Sequence, residues 1–191
     1  MPDLADAYLQ AGVRFLQLRA KAAPSRDVLA WADAVARRAD AGVWLVVNDR
    51  VDIALAAGLR HVHVGQDDLP VNQARRLMGP DAVIGVSTHT RAQIEAGCRE
   101  GADYIAVGPV FGTRTKDTGY APVGLALVEH AHKQASEAGG VPIVAIGGIT
   151  LANAAEVIGA GADAVVVISD LLVGNAPAAR VREFLRALGE A

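Results

Sequence analysis

The chain has 191 residues, a length that fits one domain, and its formal net charge is −3. Hydrophobic residues make up 52% and charged residues 20%, which is the composition of a globular protein rather than a disordered one. A weakly negative charge and a 4% aromatic content argue against a nucleic-acid partner. One cysteine, Cys98, excludes an intrachain disulfide and a cysteine-rich metal site. With no secretory signal pattern and no apolar run of membrane-spanning length, the sequence predicts a cytoplasmic protein without a membrane partner.

Seven times along the chain, a glycine ends a helical stretch and an apolar run follows it. Glycine takes the left-handed conformation after a helix at little cost. The runs are continuous rather than alternating, as in strands that are buried on both faces of a parallel sheet. The predicted strands are Val13–Leu18, Val43–Val47, His61–Val64, Ala82–Val86, Tyr104–Val107, Pro142–Ile146 and Ala164–Ile168.

Helices are predicted between these strands, and polar residues mark several of their starts. Ser25 precedes a helix over Asp27–Ala39, and Thr150 opens one over Leu151–Ile158. Thr90 with Gln93 has the spacing of a capping box before the helix Arg91–Arg99.

Strands that alternate with helices define the α/β class. We expect a single domain over residues 1–191 that forms a TIM (β/α)8-type barrel lacking its first strand, because seven strands are visible and the chain opens on the helix Leu4–Gln10. An open doubly wound sheet would show the same pattern and is the alternative. In a lone seven-stranded barrel, Val13–Leu18 and Ala164–Ile168 would have unpaired edges, which we expect water, the N-terminal helix or another chain to cover.

Residues with charged or polar side chains follow every predicted strand. In a barrel, these C-terminal ends of the strands form the face that carries the active site. Arg19, Lys21 and Lys116 are cations from two separate loops, a combination suited to a multiply charged phosphate group. Asp49 and Asp68 follow neighbouring strands, so their carboxylates could share one hard cation such as Mg²⁺.

The residues after the last two predicted strands indicate a phosphate-binding site. Gly147-Gly148 follows one of them, and Ile168-Ser169 follows the other. These are the positions at which barrels of this type usually bind phosphate.

Structural roles would explain some of these residues equally well. Asp49 could cap the helix that begins at Val51, and either Asp67 or Asp68 could begin the helix after Pro70. For His63 and His89, near the expected mouth of the barrel, packing and function are about equally supported.

Taken together, the motifs resemble the thiamine-phosphate synthase family and its thiazole tautomerase relatives. Nearly the whole chain takes part in this similarity. The matching stretches are 17–21 (QLRAK), 47–50 (VNDR), 63–70 (HVGQDDLP), 85–90 (GVSTHT), 101–105 (GADYI), 108–116 (GPVFGTRTK), 145–149 (AIGGI) and 161–163 (GAD).

The resemblance implies a barrel that joins 4-amino-2-methyl-5-hydroxymethylpyrimidine diphosphate to a thiazole phosphate and releases diphosphate. It also implies that Asp49 and Asp68 bind Mg²⁺, and that Arg19, Lys21 and Lys116 are catalytic because they neutralise the leaving diphosphate. The positions that match the family's pyrimidine-diphosphate contacts are Gln17, Arg19, Lys21, Asn48, Ser87 and Lys116. Those that match its thiazole-phosphate contacts are Thr113, Thr115, Gly148, Ile168 and Ser169.

Two other functions stay open at this point. A thiazole tautomerase would share the barrel without needing a diphosphate site, and an inactive barrel would bind a phosphorylated metabolite without turnover. The cations and carboxylates favour the synthase, because proton transfer alone does not need them. The expected partners are small phosphorylated molecules, and the sequence is also compatible with a homo-oligomer.

Overall fold

Seven parallel strands form one curled sheet in the computed structural model, which describes residues 2–113 and 119–189. Each strand pairs with the next one along the chain, so the order in the sheet is the order in the sequence. In a doubly wound sheet the strand order reverses at one point, and the order here does not reverse. The structure therefore confirms the barrel type and excludes the doubly wound alternative. The strands are β1 (Phe15–Leu18), β2 (Trp44–Asn48), β3 (His61–Val64), β4 (Val83–Thr88), β5 (Tyr104–Val107), β6 (Ile143–Ile146) and β7 (Ala164–Val166).

Helices connect successive strands and pack on the outer face of the sheet. They are α1 (Pro2–Gln10), α2 (Ser25–Ala36), α3 (Val51–Ala56), α4 (Val71–Met78), α5 (Arg91–Arg99), α6 (Gly124–Glu137), α7 (Ala154–Gly159) and α8 (Pro177–Ala187), with a 3₁₀ segment at Ser169–Asn175. Within the described ranges, no helix has both the length and the apolar character that crossing a bilayer requires.

Two predicted helix starts were wrong by a few residues. Ser25 is the first residue of α2, and Pro24 before it takes the N-cap position, because its fixed φ suits a helix entrance. Thr150 does not open α7, which begins at Ala154. Instead, the Asn153 side chain accepts a hydrogen bond from the Thr150 amide at 2.7 Å, which holds the chain in a turn before the helix.

The core has two layers, because successive side chains of each strand point to opposite faces of the sheet. The larger layer lies between the strands and the helices and contains residues such as Val47, Ile84 and Ile105. The smaller layer fills the inside of the partial barrel and is built around Tyr104 and Val144. Polar residues of the inner face therefore lie above a packed floor rather than in a pore.

Among the described strands, β1 and β7 are the two ends of the sheet and do not pair with each other. The helices are continuous across this seam, because α1 contacts both α2 and α8. Leu9 of α1 and Phe184 of α8 belong to the same apolar layer. The helical layer thus bridges the seam that the strands leave open.

The sequence Gly-Ala-Asp occurs twice, and the structure gives its aspartate the same role each time. The Asp103 carboxylate accepts a hydrogen bond from the Ile84 amide at 2.6 Å, and Asp163 accepts one from the Ile143 amide at 2.7 Å. Each aspartate thereby secures the first residues of the neighbouring strand. Asp103 also forms an ion pair with Arg75 of α4. These groups lie at the opposite end of the barrel from the candidate site.

We expect Asp103→Ala to lower the free energy of unfolding by about 1–3 kcal/mol, because the fully buried Ile84 loses the acceptor of its amide. For a chain of this size, that corresponds to roughly 3–10 °C in thermal melting. Asp81→Ala is the matched control, since the Asp81 side chain is 81% exposed. Equal melting temperatures for the two variants would contradict this role for Asp103.

Candidate active site

A lysine–carboxylate pair lies at the C-terminal ends of β1 and β2. The Lys21 Nζ atom is 2.6 Å from Asp49 Oδ2, and the Asp49 side chain is only 14% exposed. Asp49 has a φ of 63°, a left-handed conformation that is uncommon outside glycine. Arg50 is the N-cap residue of α3, so the capping role considered for Asp49 is not seen. Asp49 instead forms the ion pair with Lys21, and a strained conformation of this kind is often found at functional sites.

Asp68, from the loop after β3, brings a second carboxylate to this pair. Its Oδ2 atom accepts a hydrogen bond from the Gly65 amide at 2.9 Å. Burial, followed by the hydrogen bond with Asp49, raises the pKa of the Asp68 carboxyl above its ordinary value. Gly65 and Lys21 act in the opposite direction. Asp67 next to it is exposed, so the structure brings Asp49 and Asp68 together and turns Asp67 to solvent.

This pair of carboxylates is suited to a hard divalent cation. Burial is the main cause of the raised pKa of Asp68, and repulsion from the Asp49 carboxylate contributes less. A cation between the two carboxylates would stabilise the charged form of both. Within residues 2–113 and 119–189, no cluster of three or more His, Cys, Asp or Glu side chains is arranged around a metal position. Two carboxylates are nevertheless sufficient for Mg²⁺, which commonly completes its shell with water and substrate phosphate oxygens.

Four further predicted residues lie on the same end of β1, β2 and β4. Gln17, Asn48 and Ser87 occupy inward positions of their strands, at the level where the sheet meets solvent. Arg19 follows β1 and is exposed. In the part of the chain that the structure describes, Lys21 pairs with Asp49 but Arg19 forms no ion pair.

The loops after β5 and β6 pack closely against each other. Gly147 and Gly148 have φ values of 100° and 65°, and a Cβ atom on Gly148 would lie 2.6 Å from the Gly112 carbonyl oxygen. Glycine is therefore required at Gly148 for both conformation and space. Asn153 donates a hydrogen bond to the Gly148 carbonyl at 3.2 Å, which stabilises the loop after β6.

Ile168 and Ser169 follow β7 and are both exposed. Asp170 beside them is one of the polar residues that follow the predicted strands, but its structural role was not predicted from the sequence. Its carboxylate accepts hydrogen bonds from the Leu151 amide at 3.1 Å and from Arg180 of α8 at 2.8 Å. It thus connects the loop after β7 to the loop after β6, and both loops carry predicted contacts to the thiazole phosphate.

The loop after β5 carries the remaining predicted residues. Thr113 is the last described residue before residues 114–118, and it has an interaction partner. Thr115 and Lys116 lie outside the described residues.

Two histidines whose role the sequence left open form hydrogen bonds near the C-terminal ends of their strands. The His63 ring bonds to Tyr104 and Ser87, at 2.9 and 2.8 Å. The His89 ring stacks on Tyr120 with centroids 3.8 Å apart and is hydrogen-bonded to the Gly108 carbonyl. Tyr104 was missed, because its hydroxyl reaches His63 across the intervening strand β4 and only the register of the sheet shows this.

The fold and the position of these residues define the class, a TIM-barrel-type α/β protein with a candidate site at the C-terminal ends of its strands. A family model described as thiamine monophosphate synthase matches residues 1–171. The chain therefore belongs to the thiamine monophosphate synthase family, which makes it a transferase of thiamine biosynthesis.

Individual relatives agree with this assignment. The chain is 47% identical to the thiamine biosynthesis bifunctional protein ThiM/ThiE of Symbiobacterium thermophilum, over 99% of this chain and 40% of that protein. It is 43% identical to the thiamine-phosphate synthase of Koribacter versatilis, over 98% of this chain and 86% of the relative. The solved structure of a thiamine phosphate pyrophosphorylase from Pyrococcus furiosus superposes with a TM-score of 0.87 at 29% identity, over 99% of this chain and 89% of that one. The resemblance found in the sequence is thus confirmed.

Proposed function

We propose that this chain couples 4-amino-2-methyl-5-hydroxymethylpyrimidine diphosphate with 4-methyl-5-(2-phosphooxyethyl)thiazole to form thiamine phosphate and diphosphate. The observation that carries the proposal is the cluster of Lys21, Asp49 and Asp68 at the active face of the barrel. Family membership supports the same reaction.

Asp49 and Asp68 would hold Mg²⁺ in this proposal. When bound there, the cation would supply positive charge to the diphosphate of the pyrimidine substrate. Lys21 is already held at the pair by Asp49, so its ammonium group is in place before substrate arrives. Such preorganised charge stabilises a leaving group without reorganisation at the moment of reaction.

The bond that breaks first is the one between the pyrimidine methylene carbon and the diphosphate oxygen. The electron pair of that bond leaves with the diphosphate, whose charge Arg19 and Lys21 neutralise together with Lys116, which lies outside the described residues. The carbocation that remains is stabilised by the pyrimidine ring, and the thiazole nitrogen then donates its electron pair to form the new C–N bond. In this mechanism the residues mainly position the two substrates and neutralise the charge of the diphosphate. This agrees with a site that offers charged and hydrogen-bonding groups rather than a nucleophile.

Gly148, Ile168 and Ser169 are proposed to bind the thiazole phosphate, with Thr113 and, outside the described residues, Thr115. The close packing of the loops after β5 and β6, and the Asp170 link to the loop after β7, support this proposal for Gly148, Ile168 and Ser169, because they join the three loops into one rigid base. A rigid base matters here because the nucleophilic nitrogen must lie in line with the bond that breaks.

The tautomerase and the inactive barrel are less well supported, because neither needs a lysine held at two adjacent carboxylates. Incubation of the purified chain with both substrates and Mg²⁺ tests the proposal. We expect thiamine phosphate in the complete mixture and none when either substrate or Mg²⁺ is omitted. Absence of product from the complete mixture would contradict the proposed function.

A further inference from the structure

A buried chain of three hydrogen-bonding side chains runs from the floor of the barrel to the candidate site. The Tyr104 hydroxyl is 2.9 Å from His63 Nδ1, and His63 Nε2 is 2.8 Å from the Ser87 hydroxyl. Tyr104 is 2% exposed and His63 is 5% exposed. The first two members are therefore sealed from water, and Ser87 at the end of the chain lies at the site.

The register of the sheet builds this arrangement. Gly85 lies between His63 and Tyr104 in register, as it pairs with His63 on one side and with Tyr104 on the other. Because Gly85 has no side chain, the two rings meet above it, with centroids 5.5 Å apart. Phe15 contacts the Tyr104 ring edge-on from β1 at 5.4 Å. The tyrosine ring is thereby clamped with its hydroxyl directed at His63.

The direction of the hydrogen bonds follows from burial. Burial raises the pKa of the Tyr104 hydroxyl above its ordinary value, so it keeps its hydrogen. Among the described residues, His63 is the hydrogen-bond partner of that hydroxyl. If Tyr104 accepted a bond from His63, its own hydrogen would be buried without an acceptor, which is energetically unfavourable. Tyr104 must therefore donate to His63 Nδ1, and His63 carries its hydrogen on Nε2.

Resting on the proposed function, we infer that Tyr104 and His63 are positioning residues that fix Ser87 as a hydrogen-bond donor towards the pyrimidine-diphosphate substrate. His63 Nε2 donates to the Ser87 oxygen, and the Ser87 hydroxyl hydrogen is then left to point away from His63, into the site. Gln66 donates to the Ser87 carbonyl at 2.7 Å and holds the backbone of the same residue. The site thus offers a donor to an acceptor atom of the substrate, and it discriminates against a ligand that presents a donor there.

Two measurements test this inference. Nitrogen NMR of the ¹⁵N-histidine-labelled chain without substrate, with His63→Asn used for assignment, should show His63 as the neutral Nε2–H tautomer. In Tyr104→Phe the population of that tautomer should fall, because Nδ1 has lost its donor. An Nδ1–H tautomer or a doubly protonated ring in the unmodified chain would overturn the inference, whatever the chain catalyses.

The second measurement is the affinity for the pyrimidine diphosphate in the presence of Mg²⁺, by calorimetry. We expect Tyr104→Phe to weaken binding about three- to tenfold in the unmodified chain, and less than twofold in the Ser87→Ala background. Tyr8→Phe, which removes a hydroxyl from α1, is the control and should change neither value. Equal losses in the two backgrounds would mean that Tyr104 does not act through Ser87. If the unmodified chain does not bind the pyrimidine diphosphate at all, the proposed function fails, and NMR alone decides the direction of the hydrogen bonds.

Discussion

Asp68→Asn should lower the Mg²⁺-dependent rate at least about 100-fold. Asparagine keeps an oxygen that can accept the hydrogen bond from the Gly65 amide, so the loop after β3 is preserved while one charged metal ligand is lost. Steady-state rates with both substrates at saturating Mg²⁺ measure the effect. Asp67→Asn is the matched control, because Asp67 is the exposed neighbour in the same loop and should retain activity.

Thermal melting distinguishes whether Asp68→Asn loses activity because the metal site is lost or because the fold is damaged. At a ligand concentration of about 100 times the dissociation constant, Mg²⁺ with inorganic diphosphate should stabilise the unmodified chain by about 2.7 kcal/mol, or roughly 5–10 °C. Asp68→Asn should show little of this rise. Without Mg²⁺ it should melt no lower than the unmodified chain, because the raised pKa of Asp68 means that folding disfavours its charged form. Full activity in Asp68→Asn would remove Asp68 from the site.

Gly85→Ala should be the most destabilising conservative change inside the barrel. A Cβ atom built on Gly85 overlaps the Tyr104 ring, which is fully buried and held by its neighbours. Overpacking of this kind costs about 2–3 kcal/mol, or roughly 5–10 °C in thermal melting. Gly159→Ala is the matched control, because a Cβ atom there meets nothing within 4 Å.

A double variant tests the cause of that loss. If the tyrosine ring is the obstacle, Gly85→Ala should cost much less in a Tyr104→Leu background than in the unmodified chain. Equal costs in both backgrounds would place the clash elsewhere and would contradict the packing described here.

The order of elements could be predicted from the sequence because each strand is marked by its own glycine and apolar run. The strands His61–Val64 and Tyr104–Val107 were predicted with the bounds that the structure has. The end strands are shorter than predicted: β1 begins at Phe15 and β7 ends at Val166. Each of these two strands has a neighbouring strand on one side only. Because hydrogen bonding to a neighbour is needed as well as hydrophobic side chains, the strands end before the apolar runs do.

The proximity of Asp49 and Asp68 was also predictable, since the carboxyl ends of neighbouring parallel strands meet at one face. The hydrogen bond between His63 and Tyr104 was not predictable, because the two residues are 41 positions apart and meet only through the register with Gly85. The structural role of Asp170 was missed for a related reason. Its partners, Leu151 and Arg180, come from two other connections, and nothing in the local sequence shows that they converge.

Phosphorus NMR of the unmodified chain with equimolar pyrimidine diphosphate, thiazole phosphate and Mg²⁺ tests the proposed reaction most directly. We expect the pyrimidine-diphosphate signals to disappear while free diphosphate and thiamine phosphate appear in equal amounts. We expect chelation of Mg²⁺ or Asp68→Asn to suppress both products. Unchanged substrate signals in the complete mixture, or equal rates with and without Mg²⁺, would contradict the proposed reaction.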